Sequence, residues 1–263
     1  MTNESKVERK ARKARDRASL SAPVSNNHTI SKSKNYVVCL KWGNKYDSEY
    51  VNKLYNMVKR NLTLPYEFVC FTENSLGINP NITIKPLPKL PVEGWWFKPM
   101  FFNPEFELQG NILFFDLDLV IFKNIDCLFT HKQNEFCIIR DFNRSNIRNY
   151  NGMNSSVFRL TTGQHSKVYT EFVKNPKYLS KRFRGDQEWI FNQVKSKFHF
   201  WPDEWIQSYK WEMRGRQNLY RDGVKRRLKQ GVPNILDDTK IAVFHGEPNP
   251  AECDDLWVVD NWK

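Results

Sequence analysis

No uncharged apolar run in this 263-residue chain is long enough to span a bilayer, and mean hydropathy is −0.66. A transmembrane helix is therefore not expected. The N-terminus is polar and basic with no apolar core segment, so no secretory leader is expected and a cytoplasmic location follows. Cysteine is sparse. Cys39, Cys70, Cys127, Cys137 and Cys253 are odd in number and no two have C-x-x-C spacing, which argues for free thiols in a reducing compartment over a disulfide frame or a zinc site. Neither G-x-G-x-x-G nor a Walker lysine loop occurs, which counts against a Rossmann dehydrogenase and a P-loop enzyme. There is no internal repeat.

What the chain does have is 40% hydrophobic and 14% aromatic residues, enough for one sizeable core. Its net charge of +12 is uneven. Residues 1–34 carry nine Lys or Arg against three acids, half of the total, and read as a disordered basic tail. A second basic stretch runs from Lys210 to Lys229 and includes Arg214, Arg216 and Arg221. Such segments suit peripheral contact with an anionic membrane surface; specific nucleic-acid binding is not expected, although a nucleic-acid or anionic-surface binder is the rival that the charge alone suggests.

Order should begin near Asn35. Apolar runs at 36–42, 66–72 and 81–85 read as strands, a helix capped by Asp47 or Ser48 runs to about Arg60, and Trp95–Phe102 reads as a short aromatic helix. Strands are expected again at 112–122, 136–140, 155–160 and 241–245, with helices at 165–174 and 187–194. Residues 199–240 read as irregular. The alternation argues for an α/β fold with a largely parallel sheet.

Asp116 and Asp118 interrupt the apolar run Ile112–Phe122. Carboxylates are costly to bury unpaired. In a strand, residues two apart point to one side, so the pair can converge on a hard cation, Mn²⁺ or Mg²⁺, which in turn binds phosphate oxygens. His245, at the end of the last strand, is a candidate third ligand, and Gly246 would let a phosphate or sugar approach the backbone. Asn154 and Ser155 open a strand and suit sugar hydroxyls. Asp186 is either a helix N-cap or, with Gln187, a group facing a sugar. Lys98, amid aromatics, is either at the surface or placed to meet phosphate charge. Lys41, Trp42 and Tyr50 lie near the carboxyl end of the first strand, where a nucleobase could be held. A phosphohydrolase using the same aspartates is a second rival, but His28, His131, His165 and His199 do not fall in ligand-like motifs.

These motifs, in order, resemble the family 8 glycosyltransferases, the glycogenin and lipooligosaccharide galactosyltransferase group. Phe115-Asp-Leu-Asp118 with Asn124-Ile-Asp-Cys-Leu-Phe129 resembles its D-x-D and N-I-D-D-L-F; Met153-Asn-Ser-Ser-Val-Phe158 resembles F-N-S-G-V-F; Gly185-Asp-Gln187 and Phe244-His-Gly246 resemble its D-Q helix start and closing His motif. The resemblance covers roughly residues 35–250. It implies a GT-A, Rossmann-like fold: a mixed, mostly parallel sheet flanked by helices in a single domain, with a donor half at about 35–160, an acceptor side at about 161–240 and the His motif at 241–250. It implies Mn²⁺ (or Mg²⁺) on Asp116, Asp118 and His245, a UDP-sugar as donor, and Lys98, Asn154, Asp186 and Gln187 around the transferred sugar. Catalytic roles then fall to Asp186, Gln187 and Lys98, and transfer is to a glycan or glycolipid hydroxyl; the resemblance leans towards retention of anomeric configuration, but the chain shows no convincing nucleophile and the stereochemistry stays open. The chain departs from the family in two places. No lysine follows the His-Gly motif, where Glu247 and Asn249 stand, and the glycine of N-S-G is Ser156. The first departure leaves open a nucleotide-binding protein without turnover, with Lys98, Arg214 or Arg216 as stand-ins for the lysine.

Overall fold

The computed structural model describes residues 33–194, 197–215 and 231–263. The expected tail at 1–34 lies almost wholly outside that range, as does the basic stretch from Arg216 to Lys229. No helix among the described residues is long and apolar enough to cross a membrane.

Seven strands form one sheet: β1 (Asn35–Lys41), β2 (Glu67–Thr72), β3 (Thr83–Lys85), β4 (Asn111–Phe115), β6 (Phe136–Arg140), β7 (Met153–Thr161) and β8 (Phe198–Phe200), in the order β3-β2-β1-β4-β7-β6-β8. β1 pairs in parallel with both β2 and β4, β2 with β3, and β6 with β8; β7 alone runs against its neighbours β4 and β6. The mixed, mostly parallel sheet is the expected class. Three more strands, β5 (Leu119–Ile121), β9 (Ile206–Ser208) and β10 (Ile241–Val243), form a small sheet in the order β5-β10-β9.

The run Ile112–Phe122 is thus two strands, not one. β4 belongs to the large sheet and β5 to the small one, and Asp116-Leu-Asp118 is the turn between them. The physical reason is the pair of carboxylates. A chain that must leave one sheet and enter another does so where its polar residues can leave the apolar interior.

Helix α1 (Ser48–Asn61) begins as expected: Asp47 accepts a hydrogen bond from the Glu49 amide, and Val51, Leu54, Met57 and Val58 are buried. Short helices follow at α2 (Cys127–Thr130), α3 (Lys167–Phe172) and α4 (Pro176–Arg182), then α5 (Asp186–Gln193) and, near the end of the chain, α6 (Leu256–Asn261). The single helix expected at 165–174 is shorter, and α4 was not foreseen, although Asn175 caps it and Pro176 occupies its first turn. Two short strands, β8 and β9, lie in the stretch expected to be irregular. All five cysteines are free thiols.

The sheet separates two apolar cores. One gathers α1, β5, β10 and Trp262; the other gathers the 3-10 helix Gly94–Phe102, α3 and α5, with Trp96 stacked on Phe172 at 5.7 Å. The second core carries the aromatic segment that brings Lys98 under the sheet edge.

Candidate active site

β1, β2 and β4 all end at one edge of the large sheet, and strand order diverges there from β1 towards β2 on one side and β4 on the other. Such a point opens a crevice outside the carboxyl ends of the strands. Because β7 is antiparallel, its first residues reach the same edge. The β6–β7 pairing shifts there: Ile138 faces Phe158 but Ile139 faces Asn154. Residues 155–157 bulge out between them. Bulges re-aim side chains, and this one turns Ser155 towards Lys98.

A cavity of about 760 Å³ fills the crevice, within the roughly 300–1,000 Å³ usual for small-molecule sites. Trp42, Lys98, Asp116, Asp118, Asn154, Ser155, Asp186, Gln187, His245 and Gly246 all line it. Ten of the residues named from sequence are therefore brought together. Lys41 and Tyr50 are not among the lining. Lys41 is buried at the end of β1, and Tyr50 packs on Tyr46 and Trp262 at 4.6 and 4.9 Å. Tyr46, four residues before Tyr50 and just ahead of the Asp47 cap, takes the cavity position instead, and its hydroxyl donates to Asp118 Oδ2 at 3.1 Å.

Lys98 is the hub of the floor. It is 3% exposed, so it is neither a surface residue nor a free phosphate ligand. Its Nζ lies 2.9 Å from Asp116 Oδ1 and 3.7 Å from Asp186 Oδ2, and donates to Ser155 O and Oγ, both at 3.2 Å. Burial opposes its charge, but Asp116 and Asp186 outweigh that and hold its pKa above the usual lysine value. Asp186 is the first residue of α5; Gly185 is the N-cap, so Asp186 is not the cap that its position suggests. It is 4% exposed, and its Oδ2 lacks a hydrogen-bond partner within the chain. Burial raises its pKa, against the opposing pull of Lys98. That Oδ2 oxygen is enclosed, and the group facing it is the Lys98 ammonium at 3.7 Å. Gln187 is held by Asp141, to which its Nε2 donates at 3.4 Å, and Asn154 Oδ1 accepts from the Ser156 amide at 3.0 Å.

Asp118 ends the turn, next to the first residue of β5. The Phe244 amide donates to Asp118 O at 2.8 Å, which ties the turn to the end of β10 and sets His245 beside it. Burial and then the Asp116 charge push the Asp118 carboxyl up to about 6. Two partly buried carboxylates that repel one another form a donor set for a hard cation. His245 is less ready. Its Nε2 is 2.7 Å from Ser208 Oγ, and among the described residues no three His, Cys, Asp or Glu side chains already surround one point. Ser208 and Lys210 are site residues that sequence reading missed. Lys210 is fully buried, and its Nζ donates to His245 O at 2.6 Å. Gly246 has φ +79°, a backbone region that disfavours a side chain, and a Cβ there would stand 3.4 Å from Lys210 Nζ. The only signal for Ser208 is register: it pairs with Val243, two residues before His245.

Of the stand-ins for the absent lysine, Arg214 is bound to Asp255, with Nε 3.0 Å from Oδ2, and does not line the cavity. Arg216 lies outside the described residues. Lys45, exposed at the lip and part of the lining, is a cation that sequence reading passed over.

No family model and no curated protein matches this sequence significantly. Solved structures do resemble it. LgtC, a galactosyltransferase crystallised with donor and acceptor sugar analogs, matches with a TM-score of 0.55 at 14% identity, over 83% of this chain and 90% of that one. The bifunctional glycosyltransferase WbbM matches with a TM-score of 0.56 at 14% identity, over 92% of this chain and 50% of that one. The apo form of the glycosyltransferase GlyE of Streptococcus pneumoniae gives 0.53 at 12% identity, over 88% and 61%. The chain thus spans nearly all of LgtC, about half of WbbM and under two thirds of GlyE. Likeness at these identities speaks to architecture, and the architecture is the GT-A fold found in glycosyltransferases.

Proposed function

We propose that the chain is a metal-dependent glycosyltransferase that moves a sugar from a nucleotide diphosphate sugar, a UDP-sugar, to a hydroxyl of a glycan or glycolipid. The observation that carries this reading is the buried row Asp116–Lys98–Asp186 on the floor of a cavity at the carboxyl edge of a GT-A sheet. The likeness to LgtC, solved with donor and acceptor sugar analogs, supports it.

Asp116 and Asp118 would hold Mn²⁺ or Mg²⁺, with His245 as the imidazole on the same wall. When bound, the cation supplies Lewis acidity towards the departing diphosphate. Lys98 holds Asp116 and Asp186 in place. Asp186, Asn154 and Gln187 line the cavity and make polar contacts with the hydroxyls of the transferred sugar. Tyr46 orients Asp118. Trp42 offers a ring to the base, and Lys45 faces the phosphates from the lip. Gly246 admits the donor close to the backbone. Holding donor and acceptor in one water-poor cleft supplies much of the remaining rate. Retention of anomeric configuration is part of the proposal, and NMR of the first-formed product reads it directly.

A thermal-shift screen of nucleotide sugars with Mn²⁺ tests the reading. A true donor at 100 times its Kd adds about 2.7 kcal/mol to stability. A melting temperature raised by a UDP-sugar, and by few other nucleotide sugars, is the expected result. No shift with any of them would refute the reading.

A further inference from the structure

Trp95 and Phe191 are the exposed members of two residue types that are otherwise folded inward. Among the 9 tryptophans and 19 phenylalanines, all of them described, only Trp95 (46% exposed) and Phe191 (43%) stand open to solvent. Both line the same cavity. Leaving large rings in water forfeits burial that the other Trp and Phe obtain at least in half, so two of them at one cavity call for a ligand.

Helical geometry places them in an outer tier. Trp95 precedes Lys98 by three residues in the 3-10 helix Gly94–Phe102, where side chains three apart eclipse one another. Phe191 follows Gln187 by four residues in α5, one turn along the same face. Lys98 and Gln187 belong to the polar floor, and each aromatic ring stands one turn out from one of them. Between the two helices, Gly185 has no side chain, and the Trp95 indole Nε1 lies 3.6 Å from where its Cβ would be. The pyrrole edge of the ring thus lies at the start of α5, while the residue as a whole is 46% exposed.

We infer that Trp95 and Phe191 form a platform for the acceptor, and that the acceptor presents a hexopyranose whose apolar C–H face stacks on the rings while its hydroxyls turn to the floor. This rests on the glycosyl-transfer reading and names the subsite and chemical class of its second substrate. Aromatic rings give contact area at low conformational cost, and a pyranose has one apolar face and a polar rim to match. Phe191 falls within the expected acceptor side at about 161–240, where Trp201 is buried and Trp211 packs edge-on against His245 at 4.8 Å.

The test uses the full chain, ¹⁵N-labelled, with UDP and Mn²⁺. The probes are free lactose, maltotriose and N-acetyllactosamine, and lactosylceramide in phosphatidylcholine vesicles, so that a free glycan and a glycolipid headgroup are told apart. At least one probe should shift the Trp95 indole N–H resonance, assigned by its loss in Trp95→Tyr. Its affinity should fall at least tenfold in Trp95→Ala and in Phe191→Ala and stay within threefold in Trp95→Tyr. UDP affinity and melting temperature should change little in all three variants. No saccharide binding by a wild-type protein that binds UDP, or equal saccharide binding by the alanine variants, would overturn the inference and leave the donor reading intact. Loss of UDP binding in step with the saccharide would also overturn it, by assigning the rings to the nucleotide. If the wild type binds no UDP, the donor reading fails instead; the same saccharide titrations without nucleotide then support the platform if the alanine variants lose binding and overturn it if none is seen.

Discussion

The two sheets present their halves of the cavity differently. On the large sheet the charged groups are already satisfied by one another: Lys98 joins Asp116, Asp186 and Ser155 into a buried row. On the small-sheet side, Asp118 has a tyrosine hydroxyl and a repelling neighbour, and His245 rests on Ser208. The large-sheet side therefore resembles a preformed floor, whose disruption costs stability. On the proposed reading the small-sheet side receives the cation, and its disruption should cost binding. The Asp-x-Asp turn is the seam between them, with one aspartate in each role.

Lys98→Met should show the largest effect. It strips the cation from two carboxylates, and breaking a buried pair typically costs about 3–5 kcal/mol. Asp116 is partly open to water, so about 3 kcal/mol is expected, a fall on the order of 10 °C in melting temperature. Unchanged stability would break the contrast between the two sheets. Ser208→Ala should come next. It removes the partner of His245 Nε2 and the acceptor of the Trp211 amide. Partners of this kind are worth 10- to 100-fold in metal affinity, and about tenfold weaker Mn²⁺ binding is expected by competition with a chelator, with a stability loss of roughly 1–2 kcal/mol. Tyr46→Phe removes one hydrogen bond to Asp118 and should weaken Mn²⁺-dependent UDP binding several-fold, by about 1 kcal/mol. Tyr50→Phe keeps the ring on Tyr46 and Trp262, so UDP affinity should stay within twofold; a larger loss would restore Tyr50 to the donor site.

Much of this arrangement can be read from sequence where a local signal exists. The apolar strands β1, β2 and β6, the Asp47 cap and the order of polar motifs all carry such signals. The misreadings have physical causes. Asp116 and Asp118 look like pleat neighbours because β4 and β5 are nearly contiguous and apolar, and only the strand pairing shows that the two aspartates form a turn between sheets. Tyr46 and Tyr50 are four residues apart in the same stretch of chain, and nothing in the sequence says which ring turns to the cavity. Ser208 and Lys210 sit in and after a three-residue strand, too short for a periodic pattern, and reach His245 only through a pairing across more than 30 residues. Lys98 was singled out, but its role as a hub depends on a bulge in β7 that no local pattern announces.

The most direct test is calorimetric titration of UDP into the wild type and Asp118→Asn, each with Mn²⁺ and with EDTA. The wild type should bind only with Mn²⁺, whereas the variant, folded and with an undiminished melting temperature because a repelling charge is gone, should lose at least 100-fold in affinity. Equal UDP binding by both proteins, or binding indifferent to the metal, would contradict the account.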